Sequence, residues 1–220
     1  MNLDYSHPTD LCEIMGRHGS DKGSQNIAHS WHNYTIVYNA LFSSRRGEPL
    51  RVFELGLGTN NVNLPSNMGK HGKPGASLRG WKEYFPNASI FGGDIDTDIL
   101  FSEDRIKTYF CDQTNPHIIK YMWKEEDLQQ PFDIIVEDGL HTFDANVCFF
   151  ENSVQKLSDN SVYVIEDILN KDIHRFEQKI NEWKKIYPEL SFNLMRVPSH
   201  VNPVDNNLLI IIKKKLTISS

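Results

Sequence analysis

Apolar positions along this chain fall into short, nearly continuous runs separated by stretches of helical periodicity. The first run is RVFELGLGT, residues 51–59, in which Val52, Phe53, Leu55 and Leu57 are broken only by Glu54 and closed by Gly56 and Gly58. Such a run reads as a strand buried in a parallel sheet. Two glycines at its carboxyl end allow a sharp turn and the close approach of a ligand to the main chain, and in an open α/β sheet ligands bind at that position. Similar runs recur at residues 89–95 (SIFGGDI), 105–110, 132–137 (FDIIVE) and 161–165 (SVYVI), with two more over 190–197 and 207–212. Between them the spacing predicts helices over residues 10–16, about 75–85, 117–123, 143–157 and 172–187. One more helix is expected from about residue 29 to 42. Trp31, Tyr34 and Tyr38 keep helical spacing there, as either a packing face or a lid over a ligand. Strands alternating with helices imply a doubly wound, mostly parallel sheet. The last two strands lie too close together for an intervening helix, so they form a hairpin and one of them runs antiparallel. Residues 60–74, rich in Gly, Pro and Asn, are an unusually long strand-to-helix connection, and loops of that length are often functional.

Composition narrows the class. At 220 residues the chain can bury a sizeable core as one domain, and 39% hydrophobic with 24% charged is ordinary for a soluble globular protein. A net charge of −6 argues against a nucleic-acid surface. No stretch has the apolar length of a membrane span, and the N-terminus MNLDYSHPTD lacks the layout of a signal peptide. Cys12, Cys111 and Cys148 are odd in number and without metal-ligand spacing, so reduced thiols in a cytoplasmic protein are expected.

Candidate chemistry sits at the strand ends. Glu54, Asp94, Asp112, Asp138 and the Glu166-Asp167 pair each close a predicted strand, and in this architecture they share one edge of the sheet. Any one could be a turn former or helix cap; agreement across so many strands is harder to explain that way. Asp94 ends the second strand, where an acid accepts hydrogen bonds from a ribose diol, and Asp112 is placed to take an exocyclic amine of adenine. Asp138, Glu166 and Asp167 end neighbouring strands and would repel one another without a cation between them; Mg²⁺ with oxygen ligands fits. His141, three residues after Asp138, reads as the one histidine of nine beside this cluster, a general base or an exposed neighbour of a helix start.

Taken in order, ELGLG, GGDID, CDQ, FDIIVEDGLH and VIED resemble the class I S-adenosylmethionine-dependent methyltransferases, and more narrowly the metal-dependent sugar O-methyltransferases that include the mycinamicin and macrocin enzymes. The DKGSQ…His29…Tyr34…Tyr38 run and GASLRGWKEYFPNASIFGGDID resemble that group too, over about residues 19–168. The resemblance implies an α/β fold, a Rossmann-like doubly wound seven-stranded sheet, divided as an N-terminal helical or lid segment (1–48) and an S-adenosylmethionine-binding domain (49–220). It implies Asp138, Glu166 and Asp167 as ligands of Mg²⁺ or a similar divalent cation, and His141 as the base. Glu54, Gly56, Asp94, Asp112 and Gln113 would hold the cofactor, with Tyr34 and Ser24 closing over it. The reaction implied is methyl transfer to a sugar hydroxyl of a glycan or glycosylated metabolite, with no nucleic-acid partner and with homo-oligomerisation left open.

Two rivals remain from the residues themselves. A catechol-type acceptor would chelate the same metal, and a binding module could retain the cofactor crevice without turnover. A nicotinamide-dependent reductase fits poorly, since the third glycine of G-x-G-x-x-G is Asn61 and a long loop follows instead of a helix.

Overall fold

The computed structural model describes residues 3–202 and 205–214. Helix α1 (Asp10–His18) starts where the Thr9 side chain accepts from Cys12 N and stops at left-handed Gly19. A 3₁₀ turn at Ile27–His29 precedes α2 (Tyr34–Phe42). There follow β1 (Arg51–Leu55), α3 (Ala76–Tyr84), β2 (Ser89–Asp94), β3 (Ser102–Glu103), β4 (Ile106–Phe110), α4 (Pro116–Met122), β5 (Phe132–Glu137), α5 (Phe143–Glu151), β6 (Leu157–Ile165), α6 (Ile173–Ile186), β7 (Leu190–Arg196) and β8 (Asn207–Lys213).

The strands form one sheet in the order β3-β4-β2-β1-β5-β6-β8-β7. Strands β4, β2, β1, β5 and β6 are parallel, while β8 inserts antiparallel between β6 and β7. The sheet therefore has eight strands where seven were expected. The extra one, β3, is two exposed residues paired antiparallel to β4, too short for any periodic signal. Two helices also differ from expectation. The helix expected to run to residue 157 ends at Glu151, followed by a turn and a 3₁₀ helix at Val154–Lys156, and residue 157 already belongs to β6. The aromatic helix begins only at Tyr34, which leaves Trp31 outside it and half exposed. Pro203 and Val204, within the turn before β8, lie outside the described residues.

Alternation along each strand builds two cores. Val52, Ile134, Val136 and Val164 face α1, α2 and α3, with Tyr38, Leu78 and Trp81 at the centre. Phe53, Leu55, Ile135, Tyr163 and Ile165 face α4, α5 and α6, with Phe149, Phe150 and Trp183. Nearly continuous hydrophobicity of the central strands is the consequence of burying both faces. The central strand β1 pairs with β2 on one side and β5 on the other, so the chain leaves it in both directions and a crevice opens above its carboxyl end. Among the described residues no helix is long and apolar enough to cross a membrane.

Candidate active site

A concave crevice that opens to solvent at its mouth lies above the strand ends, in the position where α/β sheets bind ligands. The strand ends supply its floor: Gly56 after β1, Asp94 of β2, Asp112 and Gln113 after β4, Asp138 after β5 and Asp167 after β6. The 60–74 connection arches over it through Leu64, Pro65, Ser66 and Met68. It is tied down by Met68 N donating to Thr59 O (2.8 Å), Gly75 N to Leu57 O (2.7 Å) and Ser66 Oγ to Leu140 O (3.2 Å).

On the β2 side, Asp94 is buried and accepts Leu57 N on Oδ2 (2.7 Å) and Asp96 N on Oδ1 (2.9 Å). Burial pushes its carboxyl up, and those backbone N–H groups pull against the shift. Each oxygen retains a further lone pair for a ligand hydroxyl. Asp112 binds Thr114 through Oδ1. Gln113 bridges two strand ends, donating from Nε2 to Glu137 Oε1 (3.0 Å) and accepting Leu140 N on Oε1 (2.6 Å). It thereby pins the loop that carries Asp138 and His141. Buried beneath it, Glu137 has its carboxyl pushed up to about 7 by desolvation, against the pull of His141 and the Gln113 amide.

On the β5–β6 side, Asp138, His141 and Asp167 each present a ligand atom within 4.8 Å of the others. The His141 Nε2 lies 3.9 Å from both Asp138 Oδ1 and Asp167 Oδ2, and its buried Nδ1 has no hydrogen-bond partner. A residue outside the expected site set enters here. Lys22, from the α1–α2 connection, is wholly buried and donates to Asp138 Oδ2 and to Glu166 Oε2 (2.5 Å), with Glu54 Oε1 at 3.7 Å. Burial alone would depress its ammonium, but Asp138, Glu166 and Glu54 hold it well above the ordinary lysine range. Burial likewise pushes the Asp138 carboxyl up, and Lys22 and His141 bring it below its ordinary value.

Four expected residues sit elsewhere than the crevice lining. Glu54 shares the face of β1 that looks at α3, so it is fully buried and accepts Ser77 Oγ and Trp81 Nε1. Glu166 is buried with one oxygen on Lys22 and the other accepting Tyr38 Oη, outside the cluster formed by Asp138, His141 and Asp167. Tyr34, buried in α2, donates to Asp167 Oδ1 and so supports that carboxylate. Ser24 donates to Asn26 O (2.9 Å) within its own loop.

His141 is also not the one histidine at the acids. Buried His32 stacks on Tyr34 (4.5 Å between ring centroids) and places Nδ1 3.5 Å from Asp167 Oδ1 and Nε2 4.0 Å from Asp21 Oδ2. Asn206 Nδ2 donates to Val197 O, which turns its Oδ1 toward His32 Nδ1 (2.6 Å) and makes that nitrogen the protonated one. Lys22, Asp21 and His32 come from an irregular segment far from the sheet in sequence. Asp21 and Lys22 lie in the DKGSQ stretch that carried part of the family resemblance, and His32 in the expected 29–42 helix, but none of the three was singled out as a site residue.

No family model matches the chain. Sequence similarity is nevertheless clear. The chain is 33% identical over 163 residues to a rhamnosyl-tetracenomycin-C 3′-O-methyltransferase of Streptomyces olivaceus, covering 74% of this chain and 38% of that protein. It is 31% identical to mycinamicin VI 2″-O-methyltransferase of Micromonospora griseorubida, covering 74% and 37%. The chain thus spans less than two fifths of the length of these relatives. In structure it matches the MycE methyltransferase of the mycinamicin pathway, solved with Mg and S-adenosylhomocysteine, at a TM-score of 0.71 and 22% identity, over 98% of this chain and 57% of that one. That likeness establishes the fold.

Proposed function

The chain is related to the sugar O-methyltransferases, and from that relation we propose that it transfers a methyl group from S-adenosylmethionine to a sugar hydroxyl of a glycan or glycosylated metabolite. The observation that carries this reading is one crevice holding Asp94 at the end of β2 together with Asp138, His141 and Asp167 at the ends of β5 and β6. When bound, S-adenosylmethionine supplies an electrophilic sulfonium methyl, and a divalent cation supplies the Lewis acidity that lowers the pKa of a vicinal hydroxyl.

The residues present suit both groups. Asp94 offers its unused lone pairs to a ribose diol, Asp112 lies one strand further along for the adenine amine, and Gly56 lets the backbone approach the ligand at φ 90°. Asp138 and Asp167 are hard oxygen donors, and Mg²⁺ is ordinarily held by one or two carboxylates with waters. That preference for oxygen leaves the His141 Nε2 free as the base. It takes the proton of the acceptor hydroxyl, and the flanking carboxylates stabilise the imidazolium that results. Gln113 fixes the loop so that His141 faces the crevice. Glu166, the third expected ligand, is held by Lys22 and Tyr38 in this structure.

Calorimetric titration with S-adenosylhomocysteine, with and without Mg²⁺, tests the reading. Tight binding is expected in at least the Mg²⁺ condition. Absence of binding in both would overturn the methyltransferase assignment.

A further inference from the structure

We infer that Lys22 is a resident counter-ion of the acidic cluster, and that a divalent cation gains Glu166 and the second oxygen of Asp138 only by displacing its ammonium. The inference rests on the metal-assisted reading above.

Three buried or largely buried carboxylates, Glu54, Asp138 and Glu166, converge on the Lys22 Nζ, and two of them accept its hydrogen bonds. Removing one partner from such a buried ion cluster leaves an uncompensated charge, which is strongly destabilising. The cluster therefore needs a cation whether or not metal is present, and the lysine supplies it from within the chain. A divalent ion held by Asp138 and Asp167 would sit beside that ammonium in a site of low dielectric, where like charges repel strongly. Exchange of one cation for the other avoids both costs. Asp138 is the shared ligand: Oδ2 belongs to Lys22, and Oδ1 faces His141.

The local backbone restricts what moves. Thr35 N donates to Lys22 O (3.1 Å) and His32 N to Asp21 O (3.1 Å), tying the segment to the start of α2. A Cβ on Gly23 would collide with the Thr35 side chain, so the segment has no slack there. Movement is left to the flexible four-carbon side chain of Lys22. Lys22 thus sets how tightly the site holds metal and keeps the acids neutralised when metal is absent.

Mn²⁺ is the probe, its affinity measured by calorimetry for the wild-type chain and for Lys22→Met. At least tenfold tighter binding by Lys22→Met is expected, with Lys22→Arg close to wild type. Equal or weaker binding by Lys22→Met overturns the inference and leaves the metal site standing, whereas no Mn²⁺ binding by the wild-type chain sinks the metal-assisted reading itself. A second measurement needs no variant: acetylation of Lys22 in the wild-type chain, followed by mass spectrometry. Labelling should rise several-fold on adding Mn²⁺; labelling that is unchanged or reduced means the ammonium is not displaced.

Discussion

His141 and Asp167 both hold left-handed backbone conformations, φ 58° and 51°, among six described non-glycine residues that do so. Such conformations carry a cost and persist where surrounding structure enforces them, commonly at functional sites. Here Gln113 anchors the 138–141 loop and Tyr34 anchors Asp167, so the strain holds the two side chains on either side of one point in the crevice. Replacing His141 with Ala should lower turnover on a sugar acceptor by roughly 10²- to 10⁴-fold while the Kd for S-adenosylhomocysteine stays nearly constant. A matching loss of both in kinetics and calorimetry would remove its role as base. Gly56 is constrained differently: a Cβ there would run into the Asp138 carbonyl oxygen, and its φ of 90° disfavours any side chain. Gly56→Ala should cost about 2 to 4 kcal/mol from strain and overpacking together, read from denaturant unfolding, and should weaken S-adenosylhomocysteine binding as well. Neither left-handed residue was visible in the sequence, since Asp and His tolerate that region without announcing it.

At the scale of elements, strand alternation decides what an acid can reach. Glu54 lies between Phe53 and Leu55, so it points with Val52 to the α1–α3 side and meets Ser77 and Trp81 of α3. Trp81→Phe keeps an aromatic side chain but leaves Glu54 Oε2 without that donor and a gap where the indole was buried, and should destabilise the fold by at least about 1 to 3 kcal/mol in denaturant titration. Helix α2 plays the corresponding part for β6, with Tyr34 and Tyr38 one turn apart under Asp167 and Glu166. The helical spacing of these tyrosines was legible; their hydroxyl partners, more than a hundred residues away, were not. The 60–74 connection contributes the outer wall of the crevice but little of either core. Replacing residues 61–71 with a short Gly-Ser linker should leave the melting temperature within a few degrees of wild type and weaken S-adenosylhomocysteine binding tenfold or more. A large loss of thermal stability would show instead that the loop is part of the fold's framework.

For the whole molecule, ligand and fold are linked by mass action. At a hundred times its Kd, S-adenosylhomocysteine should add about 2.7 kcal/mol of stability, which for a chain of 220 residues is a rise of roughly 5 to 10 °C in melting temperature. A thermal scan without any shift at that concentration would contradict a preformed cofactor crevice. The sequence by itself determined the alternation of strands and helices, the hairpin at the end and the edge of the sheet where acids gather. Those features follow from local periodicity: a buried parallel strand must be apolar throughout, and a strand that meets a turn must show it within a few residues. Only the tertiary structure decided which of those acids reach the crevice. It turned Glu54 into the core, joined Glu166 to Tyr38 and Lys22, and brought Lys22, Asp21 and His32 from an irregular segment to the ends of β5 and β6. Charge pairing between distant segments leaves no period in the sequence, because it depends on which loops the packed helices bring over the sheet.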